Sequence, residues 1–203
     1  MIPIFPLPNV VLFPNVFLPL HIFEPRYREM VRDALTGDRT IGMVLLRDHV
    51  DAAPDSAPAV HPVGCAGVIS HCEPLDDCRY NIVLRGLHKF RILEEDRSRS
   101  YRRARIAIIA ESEAPDGLRE ARERVERFLK CRPSVSGSAS TLPTEMDDGD
   151  LVNALSQYLE FDPLEKQALL ERNGLLERCR SLGDLLEMQS LTDSGSFRYA
   201  DVQ

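Results

Sequence analysis

Five side chains between His61 and Cys78 are of the types that hold zinc: His61, Cys65, His71, Cys72 and Cys78. Zinc needs its ligands to converge at about 2.0–2.3 Å. In a regular strand Cys65 and His71 would share a face but stand roughly 20 Å apart, at about 3.3 Å per residue, and Cys72 would point the other way. No CxxC pair is present. The segment is therefore read as carrying small buried or half-buried thiols and no metal. Ser70 beside His71 is not expected to act as a dyad, because neighbours on a strand face opposite sides. His88 has no implied Asp or Ser partner and is read as a core or rim histidine. Gly37 and Gly42 have the spacing of a phosphate-binding loop, but Met43 and Val44 stand where Lys and Ser or Thr are required. No Gly-x-Ser-x-Gly or HExxH occurs. Neither a catalytic residue nor a cofactor is expected.

The other candidate chemistry is cationic. "RSRSYRRAR", Arg97–Arg105, together with Arg79, Arg85, Lys89 and Arg91, could form a basic face for RNA. Charge argues against it. The net charge is −7, with 14 Lys and Arg against 13 Asp and Glu over residues 1–110, and 11 against 19 over the rest. A general nucleic-acid binder needs the opposite balance to displace counterions from phosphates. The run is read as a solvated strand edge, with Arg97, Arg99, Arg103 and Arg105 on one side discouraging edge pairing. RNA binding remains the alternative function.

These residues must be carried by a β-rich first half. Ile2, Ile4 and Phe5 start a strand that Pro6 and Pro8 should stop, and Val16–Phe23 reads as a second. Pro14 and Pro19 then sit at edge or bulge positions where no ladder N–H is missed. Pro8, Pro14, Pro19 and Pro25 break up the apolar N-terminal run, so it cannot span a membrane, and no basic residue precedes Arg26 to make a signal peptide. With five scattered cysteines, reduced thiols in a cytoplasm are expected. Pro25 suits the first position of a helix, Tyr27, Met30, Val31 and Ala34 form its apolar face, and Gly37 caps it. Ile41–Leu46 and Val63–Leu75 read as strands, Asp48–Pro62 as a loop, and Tyr101–Ala110 as a further strand.

"RYNIVLRGLHKFRIL", Arg79–Leu93, keeps Tyr80, Ile82, Leu84, His88, Phe90 and Ile92 on even positions through Gly86. A bulge would shift that parity. The expectation is one long strand that bends at Gly86, as at the corner of a small barrel. From Asp116 the period becomes helical. Leu118, Ala121, Val125, Phe128 and Leu129 form one stripe, braced by Glu120–Arg124, Glu123–Arg127 and Glu126–Lys130. A Ser- and Pro-rich linker follows at about 133–146. Leu151, Leu155, Tyr158 and Leu159 mark a second helix. Asp162, Pro163 and Glu165 open a third, which Asn173–Gly174 closes. Leu175, Cys179, Leu182 and Leu186 mark a fourth, and 193–203 reads as a loose tail.

"IPIFPLPNVVLFP", "LPLHIFEPRYREMV", "VGCAGVI", the Arg79–Leu93 strand and "YRRARI", in that order, resemble the N-terminal domain of the Lon ATP-dependent proteases. "DPLEKQALLERNGLLERCRSLGDLL" is similar to the helical part that follows there. The resemblance covers about residues 1–190. It implies an α+β fold: a PUA-like β pseudo-barrel, residues 1–112, followed by a small helical subdomain, 113–192. The ATPase and protease modules of those enzymes are not in this sequence, so the resemblance implies a stand-alone, non-enzymatic module that recognises proteins or peptides and acts in protein quality control. The implied partners are unfolded or exposed apolar segments, with a cellular Lon protease as a further candidate. Phe13, Phe17, Leu18, His21, Phe23 and Tyr27 are the peptide-binding candidates. Pro19, Glu24, Pro25, Arg26 and Gly86 are the structural motif that positions them.

Overall fold

A computed structural model describes residues 1–47, 58–111, 116–130 and 146–196. The elements are β1 (Ile2–Leu7), β2 (Phe17–Ile22), α1 (Pro25–Thr36), β3 (Thr40–Leu45), β4 (Val63–Pro74), β5 (Tyr80–Asp96) and β6 (Arg103–Ile108), then α2 (Leu118–Lys130), α3 (Asp148–Tyr158), α4 (Pro163–Glu171) and α5 (Leu175–Ser196). The six strands run in the order β2-β5-β4-β3-β1-β6, and β6 pairs β5 as well as β1. The sheet thus closes on itself as a ring of five, with β2 attached outside it. β1 and β3 are parallel, while the other pairings are antiparallel. The class is α+β, as the sequence suggests.

Closure depends on β5, whose 17 residues serve two partners on one side. Tyr80–Arg85 pair with β2, and Phe90–Asp96 pair with β6. Between them the register against β4 slips: Gly67 faces Gly86 while Ala66 faces His88. Leu87 is therefore an extra residue, a bulge of the kind the even-number pattern seemed to exclude. Lys89 and Phe90 are both buried beyond it. Adjacent strand residues face opposite sides, so both faces of β5 are covered there and parity no longer reports the core. His88 is exposed rather than part of that core. Phe90 instead joins Ile4, Val44, Ala66 and Ala104 inside the ring.

β1 continues through Pro6, contrary to expectation. Ile4 donates its N–H to the Arg102 carbonyl at 2.9 Å. Pro6, two residues on, points its nitrogen to the same side, but β6 pairs only with Ile2 and Pro3. No bond is forfeited there. A second irregularity lies in β4, where Ile69 faces Leu84 and His71 faces Val83. Ser70 and His71 are both exposed, and the Ser70 hydroxyl donates to the Val83 carbonyl at 3.0 Å. β6 begins at Arg103, not Tyr101, and is paired on both sides, so it is not a free edge.

α1 buries Tyr27, Met30, Val31 and Ala34, with Pro25 in its first turn and Gly37 at its C-cap. The loop expected from Asp48 falls largely on residues 48–57, outside the described residues. The segment before β2 explains the prolines. Val11, Leu12, Phe13 and Val16 are buried without forming a strand, so their backbone needs other partners. Gln157 accepts the Phe13 N–H at 3.2 Å. Gly86 accepts from Asn15 at 3.0 Å and donates to Val16 at 2.9 Å. This accounts for α3, whose buried face includes Asn153, Ser156 and Gln157, while Tyr158 is 65% exposed.

The contacts divide the chain into two compact units: Met1–Ala110 with Asn153–Glu171, and Glu111–Val152 with Arg172–Gln203. The expected boundary near 112 is close to the first division, but the C-terminal half of α3 and all of α4 group with the sheet. α4 has the expected start, the Asp162 N–H donating to Glu165 at 2.9 Å, and Gly174 follows its end at φ 91°. In the second unit Leu118, Ala121, Val125 and Leu129 of α2 are buried, as are Cys179, Leu182 and Leu186 of α5. Two of the three expected α2 pairs are replaced, and the third, Glu126–Lys130, rests on a side chain outside the described residues. Arg119 pairs with Glu123 and Arg122 with Glu126, while Arg124 reaches Asp184 at 2.7 Å and Glu187 at 2.5 Å on α5. α5 runs on to Ser196, into the stretch read as a tail. The linker at 133–145 and residues 197–203 lie outside the described residues.

At the end of β5, Asp96 accepts from the Ser98 N–H at 2.8 Å and from Arg103 at 2.5 Å. These bonds, Ser98's first, hold its carboxyl at about 2, below the ordinary 3.8. Because the folded value is the lower one, the contribution to stability is present above 3.8 and is lost as pH falls through about 2. A ¹³C carboxyl titration should give a midpoint near 2 for Asp96, moving upward in Arg103→Gln. An ordinary midpoint would show that these bonds do not persist in solution.

Candidate functional site

The exposed residues of the β2 segment alternate: Phe17, Pro19, His21 and Phe23 face solvent, while Ile22 is buried. Strand periodicity produces this row. Phe17 is 50% and Phe23 60% exposed, and six residues of extended chain place them roughly 20 Å apart. Phe23 lies just past β2, before Glu24 caps α1 in extended conformation.

A polar chain holds the row. Across from β2, Phe17 lies opposite Arg85, Pro19 opposite Val83 and His21 opposite Asn81. Asp77 grips Arg79 at 2.5 Å, and Arg79 lies 3.3 Å from His21 Nε2. His21 Nδ1 lies 2.8 Å from Asn81 Oδ1, and Asn81 donates to Glu73 at 3.0 Å. Since Arg79 can only donate, His21 Nε2 accepts and Nδ1–H donates to Asn81. Both carboxylates are thereby engaged, and the imidazole ring is fixed 6.2 Å from the stacked Phe23 ring.

The remaining candidates separate by burial. Phe13 is fully buried, and Tyr27 is 5% exposed. Tyr27 packs 4.3 Å from Phe5 with the Arg26 guanidinium 4.5 Å above its ring. Both belong to the core, because large apolar surface is driven inward wherever the fold can cover it. Leu18 is half-buried, on the opposite face from Phe17. Glu24 and Arg26 pair with each other at 2.8 Å at the start of α1.

The proposed basic face is largely neutralised. Arg97 and Arg102 reach Glu95 at 3.2 and 3.7 Å, Arg99 reaches Asp33 at 2.5 Å, Arg103 reaches Asp96 at 2.5 Å and Arg105 reaches Glu94 at 3.2 Å. Sequence reading placed these arginines on one strand edge and missed the cleft that four arginines line at the start of α1. Three of those four belong to the Arg97–Arg105 run, so the signal was present without its geometry. Burial pushes Cys179 up to about 11 and raises Cys72. Among the described residues no group of three or more His, Cys, Asp or Glu could hold a metal. Nor, among them, is any helix long and apolar enough to cross a membrane.

A closed strand ring with an added strand that exposes an aromatic row defines a barrel-type domain. The comparisons say which one. Residues 1–188 match the model of the ATP-dependent protease La (Lon) substrate-binding domain, and the chain belongs to that family. It is 29% identical over 186 residues to a Lon protease of Flavobacterium johnsoniae, covering 87% of this chain and 22% of that one. A Lon protease of Cytophaga hutchinsonii is 26% identical over 195 residues, covering 92% and 24%. The chain thus spans about a quarter of the length of these relatives. The fold is shared with the N-terminal domain of a Mycobacterium avium complex Lon protease, at TM-score 0.67 and 15% identity, covering 92% of this chain and 97% of that one. It is shared too with a Lon N-terminal domain protein from Xanthomonas campestris, at TM-score 0.62 and 21% identity, covering 89% and 95%.

Proposed function

We propose that this chain is a non-enzymatic recognition module in protein quality control, acting in the cytoplasm. It binds exposed apolar segments of unfolded proteins on the outer face of β2. The observation that carries this reading is the alternation of Phe17, Pro19, His21 and Phe23. Two exposed phenylalanines, one on β2 and one just past its end, present the large apolar surface that anchors a bound chain. Membership of a substrate-binding family supports a protein ligand, and a Lon protease is the natural recipient of what is bound. The RNA alternative is disfavoured by the carboxylate partners of Arg97–Arg105.

The test is fluorescence anisotropy with a reduced, alkylated and permanently unfolded polypeptide. Phe17→Ser/Phe23→Ser should weaken its binding at least tenfold while leaving the thermal midpoint within about 2 °C, since neither ring is buried and surface changes have small effects on stability. Equal binding by wild type and variant would remove the β2 face from the reading.

A further inference from the structure

We infer that the arginine-lined cleft at the start of α1 is a second binding site, one that takes the carboxylate of a peptide. The cleft has a volume of about 340 Å³ and is lined by Arg26, Arg97, Arg99 and Arg102, with Pro6, Leu7 and Leu46 among its apolar wall. It lies wholly within the unit built on the sheet.

Charge balance carries the inference. Glu24 is matched to Arg26 and Asp33 to Arg99. Glu95 has to serve two guanidiniums. Arg97 holds its Oε2 through two hydrogen bonds, at 3.2 and 3.4 Å, and Arg102 Nη1 stands off at 3.7 Å. That Nη1 is buried and has no hydrogen-bond partner among the described residues. Glu29, the next carboxylate, accepts from Ser100 at 2.7 Å and makes no ion pair among them. Four guanidiniums therefore share three paired carboxylates, and one buried donor is left over. Leaving such a donor unmet is costly, and burial lowers the Arg102 pKa, as an under-compensated cation requires. One further carboxylate in the cleft restores the charge balance among the four arginines that line it. A planar carboxylate also suits a guanidinium fork. The positive end of the α1 dipole lies in the same wall through Glu24, Arg26 and Tyr27.

The apolar wall beside the cations selects a carboxylate next to a hydrophobic side chain. A polypeptide offers that chemistry at a free C terminus or at an Asp or Glu side chain. At this volume the site takes a residue or two, at the small end of ligand pockets.

The experiment titrates the full chain with three probes, followed by ¹⁵N NMR: acetyl-Ala-Leu-Phe with a free carboxylate, the same peptide amidated, and acetyl-Ala-Asp-Phe-amide. The free acid should bind at least tenfold more tightly than the amide. Binding of the aspartyl peptide as tightly as the free acid would assign the ligand to a side chain, and weak binding of it would assign it to a chain terminus. Arg102→Gln should lower affinity for the tight probe at least tenfold. If that variant is unfolded, Arg26→Gln, at a more exposed position, serves in its place with the same expectation. Phe17→Ser/Phe23→Ser should bind these probes normally, which separates this site from the β2 face. Equal affinity for acid and amide, absence of saturation by any peptide at 10 mM, or tighter binding of inorganic phosphate or an oligoribonucleotide would overturn the assignment.

Discussion

Gly86→Ala should destabilise the protein by about 3 kcal/mol or more, the upper range for a single substitution that forces backbone to move. A β-carbon built there lies 2.0 Å from the Phe13 carbonyl oxygen and 2.9 Å from its carbon, with Pro14 Cα at 3.2 Å. These are main-chain atoms, and the same segment is tied to Gly86 by two hydrogen bonds, from Asn15 and to Val16. Relief of the clash therefore breaks both. At an ordinary strand glycine the change would be neutral or mildly stabilising, since alanine reduces the entropy of the unfolded chain. The sign alone separates the two cases. Urea unfolding should show a lowered midpoint with an unchanged slope, and an unaltered midpoint would mean that the Phe13–Val16 segment does not lie against β5.

Glu111→Ala should cost about 3 kcal/mol for a different reason. Arg178 is fully buried in the second unit, and its guanidinium pairs with Glu111. Removing one partner of a buried pair leaves a desolvated charge behind, whereas replacing both by apolar groups of similar volume is often close to neutral. Glu111→Leu/Arg178→Met should accordingly recover most of the stability that Glu111→Ala loses. A double variant no more stable than the single one would show that the other contacts of Arg178 matter more than its charge.

How much of this could be read beforehand depended on whether a residue's partner was local. The α1 face was legible because Tyr27, Met30, Val31 and Ala34 repeat at helical spacing and all four are buried. The α4 start was legible because its capping residues lie within four positions. The Leu87 bulge was not, because Ile82, Leu84 and Phe90 remain buried on even numbers although the register has slipped between them. The polar face of α3 was hidden for the opposite reason. Gln157 is buried to satisfy a main-chain N–H 144 residues away, and no periodicity reports a need that distant. For the candidate surface, alternation did pick out Phe17 and Phe23. It could not tell them from Phe13, which sits in the same apolar run but precedes the strand. The arginine cleft required β1, α1 and the turn before β6 to be brought together, and each was legible only separately.

Pro19 has a consequence for a molecule that displays phenylalanines on an unshielded strand. Just before β2, Val16 turns its carbonyl toward β5, accepting from Gly86, so by alternation residues 17, 19 and 21 direct their main-chain groups outward. The Phe17 carbonyl is already occupied by the Tyr158 hydroxyl at 3.0 Å, and Pro19 has no hydrogen to offer. An incoming strand would find at most two donors along this border, those of Phe17 and His21. That is too broken a template for a second copy of the chain to propagate as cross-β aggregate. The side chains stay exposed while the backbone resists polymerisation.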